Sequence, residues 1–271
     1  MRLIAFDVPR RPASEIFRDD LFRNRPIDKI EIRTGDGICP AYTFRPSGTG
    51  PWPAVLVYMD GIGIRPAMLE VGERLAGYGY FVLLPDLFYR AGPYAPMDAR
   101  TVFAVPEQRK ELMEKFLAPT TPAGVMSDTR FFLDYLAAQP DVRPGGIGTT
   151  GYCRGGFMSL TAAGTFPERI TAAASYHGSR LATDDPDSPH RLAPRIKARL
   201  YIGGAIEDQS FPDDMKQRLE DALTQAGVEH TIETYPARHG WVISDTLTHD
   251  AAAAERHWQT LTALFDATLG R

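Results

Sequence analysis

The chain has 271 residues, 44% hydrophobic and 24% charged, enough for one substantial core in a single α/β domain spanning residues 1–271. A formal net charge of −4 and a pI near 5.9 argue against nucleic acid or an anionic membrane as the main partner, because both select concentrated Lys and Arg. There is no bilayer-length apolar run, the opening MRLIAFDVPRRP lacks a signal-peptide core, and two cysteines make no disulfide framework, so the chain reads as cytoplasmic with free thiols.

Ser14 is placed to cap a short amphipathic helix reaching about Phe22, before Pro26 interrupts. Residues 29–34 and 41–45 are strand-like and flank Gly35-Asp36-Gly37, which predicts an antiparallel hairpin and makes residues 1–50 a helix plus a hairpin. From Ala54 the texture changes to short apolar runs at residues 54–58, 80–84, 146–150, 170–175, 200–202 and 230–233. Segments of helical spacing alternate with most of them, at residues 68–76, 127–138, 155–163, 213–226 and 248–269. Runs apolar on both faces, alternating with helices, predict a mostly parallel central sheet covered by helices on each side. Residues 87–122 break the pattern with prolines, aromatics and a charged helical piece near residues 107–116. Such a stretch reads either as a pocket or lid insertion or as a solvated excursion.

The densest signal is Gly151-Tyr152-Cys153-Arg154-Gly155-Gly156, set between a predicted strand and a predicted helix. Glycines two residues before and two after Cys153 suit a turn so sharp that neighbouring backbone would meet any Cβ. Gly-x-Cys-x-Gly in this setting matches a nucleophile turn, with the helix N-terminus favouring the thiolate and the Arg154 N–H available to an oxyanion. Close strand–helix packing is the plainer use of the same small residues. A nucleophile on such a turn is followed in sequence by an acid and then a histidine. Among six histidines, His239 lies in the loop after the last predicted strand, where a base belongs. His177, just past residues 170–175, is expected to line the pocket, with the base role as its alternative. His249 and His257 read as surface residues, and His190 and His230 as solvated ones. The acid is expected after residues 200–202, at Asp208, with Glu207 as the alternative should the loop slip by one residue. There is no paired His/Cys ligand spacing and no phosphate-binding glycine loop, so neither metal nor organic cofactor is implied.

With these residues in place, the chain resembles the dienelactone hydrolase family of α/β-hydrolases over most of residues 54–269. The resemblance rests on Tyr58-Met59-Asp60-Gly61-Ile62-Gly63, Pro85-Asp86-Leu87-Phe88-Tyr89-Arg90, the Cys153 motif, and the 203–208 and His239 loops. It implies an α/β-hydrolase fold, a Cys153–Asp208–His239 triad, and Gly61 and Arg154 N–H groups as oxyanion donors. It also places Asp60 where the family often has a glutamate that contacts the resting nucleophile. Of two arginines that hold a substrate carboxylate in the dienelactone enzymes, Arg90 matches one, beside Tyr89, while Ile243 stands at the other. Trp241 and Ile243 are then expected to form an apolar wall. The implied activity is cleavage of a small-molecule ester or lactone, and homo-oligomerisation stays open. A thioesterase or acyltransferase with the same triad, and a non-catalytic binder on the hydrolase fold, are the rival readings. A redox pair of Cys39 and Cys153 is disfavoured by the missing C-x-x-C.

Overall fold

The structure is a computed structural model that describes residues 27–270, so the helix expected over residues 14–22 lies outside the described part. Strands β1 (Ile27–Arg33) and β2 (Ile38–Phe44) form the antiparallel hairpin, with Arg33 opposite Ile38. Thr34 closes its turn by donating its N–H and its hydroxyl to the Gly37 carbonyl, and Gly37 takes φ +148°, which a side chain would disfavour.

Six further strands follow: β3 (Ala54–Tyr58), β4 (Phe81–Pro85), β5 (Ile147–Tyr152), β6 (Ile170–Tyr176), β7 (Arg199–Ala205) and β8 (His230–Tyr235). They join the hairpin in one eight-stranded sheet of order β1-β2-β4-β3-β5-β6-β7-β8, antiparallel as far as the β2–β4 pair and parallel from there on. Every residue of β3 and β4 is buried, as continuous apolar runs between two helical layers must be. The helices are α1 (Pro66–Gly77), α2 (Pro106–Glu111), α3 (Pro122–Ala137), α4 (Arg154–Thr165), α5 (Asp213–Gln225) and α6 (Ala251–Leu269). Strand β5 shows both layers at once. Thr149 bonds Ser159 of α4 (Oγ1–Oγ 2.8 Å), while a Cβ on its neighbour Gly148 would meet Phe265 and Leu269 of α6 at 2.9 Å. Among the described residues no helix is long and apolar enough to cross a membrane.

Three of the boundaries that differ from expectation shift through a local cap or a glycine. Helix α3 starts five residues early because Thr121 accepts the Gly124 N–H and Pro122 occupies the first helical position, where its missing N–H costs nothing. Helix α6 starts late because Asp250, not Thr248, is its cap; the Thr248 hydroxyl instead donates to the His239 carbonyl at 2.6 Å. Strand β7 runs on through Gly203 and Gly204, since a Cβ on Gly203 would meet the Tyr176 ring of β6 at 2.9 Å.

Residues from the 87–122 segment pack against the loop after β3, where a Cβ on Gly61 would lie 3.7 Å from the Leu117 side chain. After α2 the helix widens into a π turn over Leu112–Leu117, which buries Leu112 and Phe116. The Phe88, Tyr94 and Phe116 rings meet at 5.2–5.9 Å. The Tyr94 hydroxyl donates to Asp86 (2.9 Å) and accepts the Ile64 N–H (3.0 Å), tying the segment to the loop after β3.

Candidate active site

The chain moves from β3 outward to β4 and then returns to β5 on the other side of β3, so a crevice opens at the carboxyl ends of β3 and β5. Register aligns these ends: Tyr58 pairs with Gly151, Tyr152 with Tyr176, Tyr176 with Gly203, and Ala205 with Tyr235. Asp60, Cys153, His177, Asp208 and His239, scattered over 180 residues of sequence, therefore leave the sheet along one edge.

Cys153 is the residue before α4 and sits at φ +54°, ψ −116°, a conformation that L residues occupy only at a cost. The glycines around it explain how the turn closes. A Cβ on Gly151 would lie 2.0 Å from the Gly155 carbonyl oxygen, one on Gly155 would lie 2.2 Å from that of Tyr58, and one on Gly156 would lie 2.4 Å from Ser175 Oγ. Strand and helix thus touch backbone to backbone, and the half-buried thiol stands at the helix N-terminus.

His239 lines the same cavity as Cys153, close enough for its charge to act on the sulfur, while its Nδ1 meets Asp208 Oδ2 at 2.8 Å. The other Asp208 oxygen accepts the Ser210 N–H (2.9 Å) and hydroxyl (2.6 Å). Burial opposes charge on both partners of the sulfur–imidazole pair. The mutual attraction outweighs it: the Cys153 pKa is lowered from its ordinary value and that of His239 is pushed up to about 10. Each charge of the pair, thiolate and imidazolium, thus favours the other. Burial also opposes the Asp208 charge, but the His239 and Ser210 hydrogen bonds hold its carboxyl below the usual range. Glu207 points away, at φ +53°, and pairs with exposed Arg238 at 3.0 Å. The one-residue alternative for the acid therefore has no contact with His239.

Asp60 sits beside the cavity but is fully engaged elsewhere. Arg65, only 2% exposed, donates to both Asp60 oxygens (2.8 Å each), both Asp245 oxygens (2.7 and 3.0 Å) and the Gly63 carbonyl (3.1 Å), using all five guanidinium N–H groups. Asp60 also accepts the Ile62 N–H at 2.9 Å, and its charge raises the Cys153 pKa rather than aiding the thiolate. The expected contact from Asp60 to the thiol is thus replaced by a clamp joining the loop after β3 to the loop that carries His239. Sequence reading missed Arg65 and Asp245; an arginine inside the apolar run Ile62-Gly63-Ile64-Arg65 was the available signal. Removing one partner from such a buried pair costs about 3–5 kcal/mol. Arg65→Ala should lower the unfolding free energy by that amount in urea denaturation.

A cavity of about 320 Å³ opens over Cys153 and His239, lined also by Asp60, Gly61, His177 and Ile243. Ala99 and Phe103 from the 87–122 segment and Leu247 from the His239 loop complete an apolar rim. Arg90 and Tyr89 do not belong to it. The Arg90 guanidinium is held by Asp128 (2.8 and 3.0 Å) and Asp36 (2.6 and 3.1 Å), and the Tyr89 hydroxyl bonds Thr34 (2.8 Å) and Asp128 (3.1 Å). Both belong to a network that fixes the hairpin turn to α3. Trp241 is not a wall of the cavity either; wholly buried, it stacks on Tyr235 and backs the His177 ring at 5.0 Å. His257 is a core residue rather than a surface one, with Nε2 3.1 Å from the Tyr152 hydroxyl. Arg154 sends its side chain to the Leu117 and Thr120 carbonyls, tying the π turn to the first turn of α4. Neither the Arg154 nor the Gly61 N–H has a protein acceptor among the described residues. Among those residues no cluster of three His, Cys, Asp or Glu side chains could hold a metal ion.

This architecture is shared. A Klebsiella pneumoniae crystal structure, provisionally titled a dienelactone hydrolase, superposes with a TM-score of 0.78 at 24% identity, over 90% of this chain and 99% of that one. A metagenomic dienelactone hydrolase-like promiscuous phosphotriesterase gives 0.72 at 23% identity, over 91% and 99%. The fold is therefore that of the α/β-hydrolases. Carboxymethylenebutenolidase 1 of Cupriavidus pinatubonensis is 27% identical over 228 residues, covering 83% of this chain and 91% of that protein. A Synechocystis protein, provisionally named a carboxymethylenebutenolidase, is 29% identical over 237 residues, covering 84% and 91%. Residues 39–269 match the dienelactone hydrolase family as a whole, a span that takes in every residue of the cavity, and the chain belongs to that family.

Proposed function

We propose that the protein hydrolyses neutral ester or lactone bonds by nucleophilic catalysis at Cys153. The observation that carries this reading is Cys153 and His239 meeting in one cavity at the strand ends, with His239 Nδ1 bonded to Asp208 at 2.8 Å behind them. The thiolate attacks the carbonyl carbon, and the electron pair of the C=O bond moves to oxygen. The Gly61 and Arg154 N–H groups stabilise that oxyanion. Collapse expels the alcohol or enol oxygen, which takes the proton carried by the His239 imidazolium, and leaves a thioester on Cys153. The sulfur has then lost its negative charge, so the support it gave to the imidazolium is gone. Neutral His239 takes a proton from water, the hydroxide attacks the thioester, and the thiolate is expelled. Asp208 orients the ring and stabilises its charged form throughout.

The neutral substrate follows from what surrounds the sulfur. Among the described residues no lysine or arginine lines the cavity, and Ile62, Phe103, Ile243 and Leu247 present apolar surface. Nearby, two carboxylates, Asp60 and Asp245, face the single guanidinium of Arg65. A charge-assisted hydrogen bond from arginine contributes about 1.5–3 kcal/mol, so its absence forfeits roughly ten- to a hundredfold in selection for an acidic substrate. The test compares kcat/KM for a carboxylated lactone and its neutral analogue, with the neutral one expected to be turned over at least as well. Arg90→Lys should leave that ratio unchanged. A strong preference for the acid that disappears in Arg90→Lys would overturn the reading.

A further inference from the structure

The three residues after β6, His177-Gly178-Ser179, touch the nucleophile's turn at three separate atoms. The Cys153 N–H is shared between the Tyr176 carbonyl and His177 Nδ1, both at 3.1 Å. The Ser179 N–H donates to the Cys153 carbonyl at 3.3 Å, and Ser179 Oγ lies 3.6 Å from the Cys153 sulfur. The backbone of this loop is tightly constrained. His177 sits at φ +39°, a second non-glycine residue in the left-handed region beside Cys153, and its N–H is anchored on the Gly203 carbonyl at 2.7 Å. Gly178 has no room for a side chain: a Cβ there would lie 2.3 Å from Ser175 Oγ, and one on Gly156 would lie 3.0 Å from the Gly178 Cα. The loop is therefore pressed onto the first turn of α4.

The protonation state of His177 follows from its bond. To accept the Cys153 N–H, Nδ1 must carry a lone pair, so the ring is neutral with its proton on Nε2. The surroundings enforce this. The ring is 1% exposed, with His239 at 4.9 Å, Trp241 at 5.0 Å and Tyr152 at 6.0 Å, and burial, then the His239 and His257 charges, drives its pKa well below the ordinary value. Two adjacent histidines are thus pushed in opposite directions, the His239 pKa up beside the sulfur and the His177 pKa down behind it.

We propose that this loop is a clasp that sets the nucleophile, with the Ser179 hydroxyl donating to the Cys153 thiolate and the neutral His177 ring positioning the turn through the Cys153 N–H. Ser179 touches the reacting atom and acts as a catalytic residue. His177 acts through the backbone and is a positioning residue. The proposal rests on Cys153 being the nucleophile. The groups facing that sulfur are His239 from the loop after β8, Ser179 from the clasp, Asp60 from the loop after β3 and Arg154 on α4 itself. His239 and Ser179 favour the thiolate, and Asp60 opposes it.

The experiment measures iodoacetamide alkylation of Cys153 and ester turnover against pH, in a Cys39→Ala background so that one thiol reports. Ser179→Ala removes a donor to the thiolate and should move the alkylation midpoint up by about one unit. Its kcat/KM should then fall roughly tenfold below the midpoint and converge with the parent above it, and Ser179→Thr, which keeps the hydroxyl, should restore the profile. His177→Ala should lower kcat roughly 10–100-fold with little change in KM. His177→Asn should recover most of that loss, because its amide oxygen can accept the Cys153 N–H and asparagine tolerates positive φ. An unshifted profile in Ser179→Ala, or His177→Asn no better than His177→Ala, would overturn the clasp while Cys153 still alkylates as an activated thiol. Failure of the underlying reading looks different: the parent thiol itself would then alkylate no faster than a free model thiol.

Discussion

Cys153→Ala should abolish ester cleavage, lowering kcat/KM by about 10⁴-fold or more, with the thermal midpoint close to that of the parent. The turn does not depend on the sulfur for its shape. Gly151, Gly155 and Gly156 set it by letting strand and helix touch, and alanine carries the same Cβ as cysteine at φ +54°. What the variant loses is the nucleophile alone. In the parent, iodoacetamide should modify Cys153 well below the pH range of a free cysteine, whose pKa is about 8.5, because the His239 imidazolium stabilises the thiolate against its burial. Cys39→Ala serves as the control. That thiol is wholly buried, burial and the nearby Asp86 and Asp128 charges push its pKa up, and its removal should leave turnover unchanged. Near-full activity in a clean Cys153→Ala preparation would sink the mechanism.

The second large effect is expected at the base. His239→Ala removes the group that holds the thiolate, protonates the leaving oxygen and activates water, so a loss of several orders of magnitude is expected. Asp208→Asn should cost less than His239→Ala, since the carboxylate orients and stabilises the ring without exchanging the proton. Glu207→Gln should leave turnover near that of the parent, because Glu207 pairs with Arg238 on the surface. Timing distinguishes the two steps. While the thiolate is present, His239 stays protonated up to about pH 10. In the acyl-enzyme that support is missing and its pKa falls, so deacylation in single-turnover experiments should rise with pH and level off below pH 10. A deacylation rate independent of His239 would refute its role as base.

The placement of the candidate residues was legible because chain order constrains it: a glycine-flanked cysteine turn after β5, an acid after β7 and a histidine after β8 each follow a strand end. The hairpin and the parallel strands were legible for a related reason, since apolar alternation and continuous apolar runs are local properties. Boundaries were harder. Gly203 and Gly204 read as loop until the Tyr176 ring beside them shows why β7 continues, and Thr248 read as helix until Asp250 proved to be the cap.

Sequence alone determined the family, the class of fold and the sharp glycine-flanked turn at Gly151–Gly156, because each depends on residues adjacent in the chain or on strand order. Only the tertiary structure decided where charged side chains spend their hydrogen bonds. Arg90 looked free to meet a substrate carboxylate and is held by Asp36 and Asp128, 54 and 38 residues away. Asp60 looked free to contact the thiol and is held by Arg65, which in turn reaches Asp245, 180 residues on. Ser179 carried no signal at all until β6 placed it beside the sulfur. A buried charge must find a partner, and sequence names the charge without naming the partner, because the pairing is made by strands and loops that meet only when the sheet is assembled.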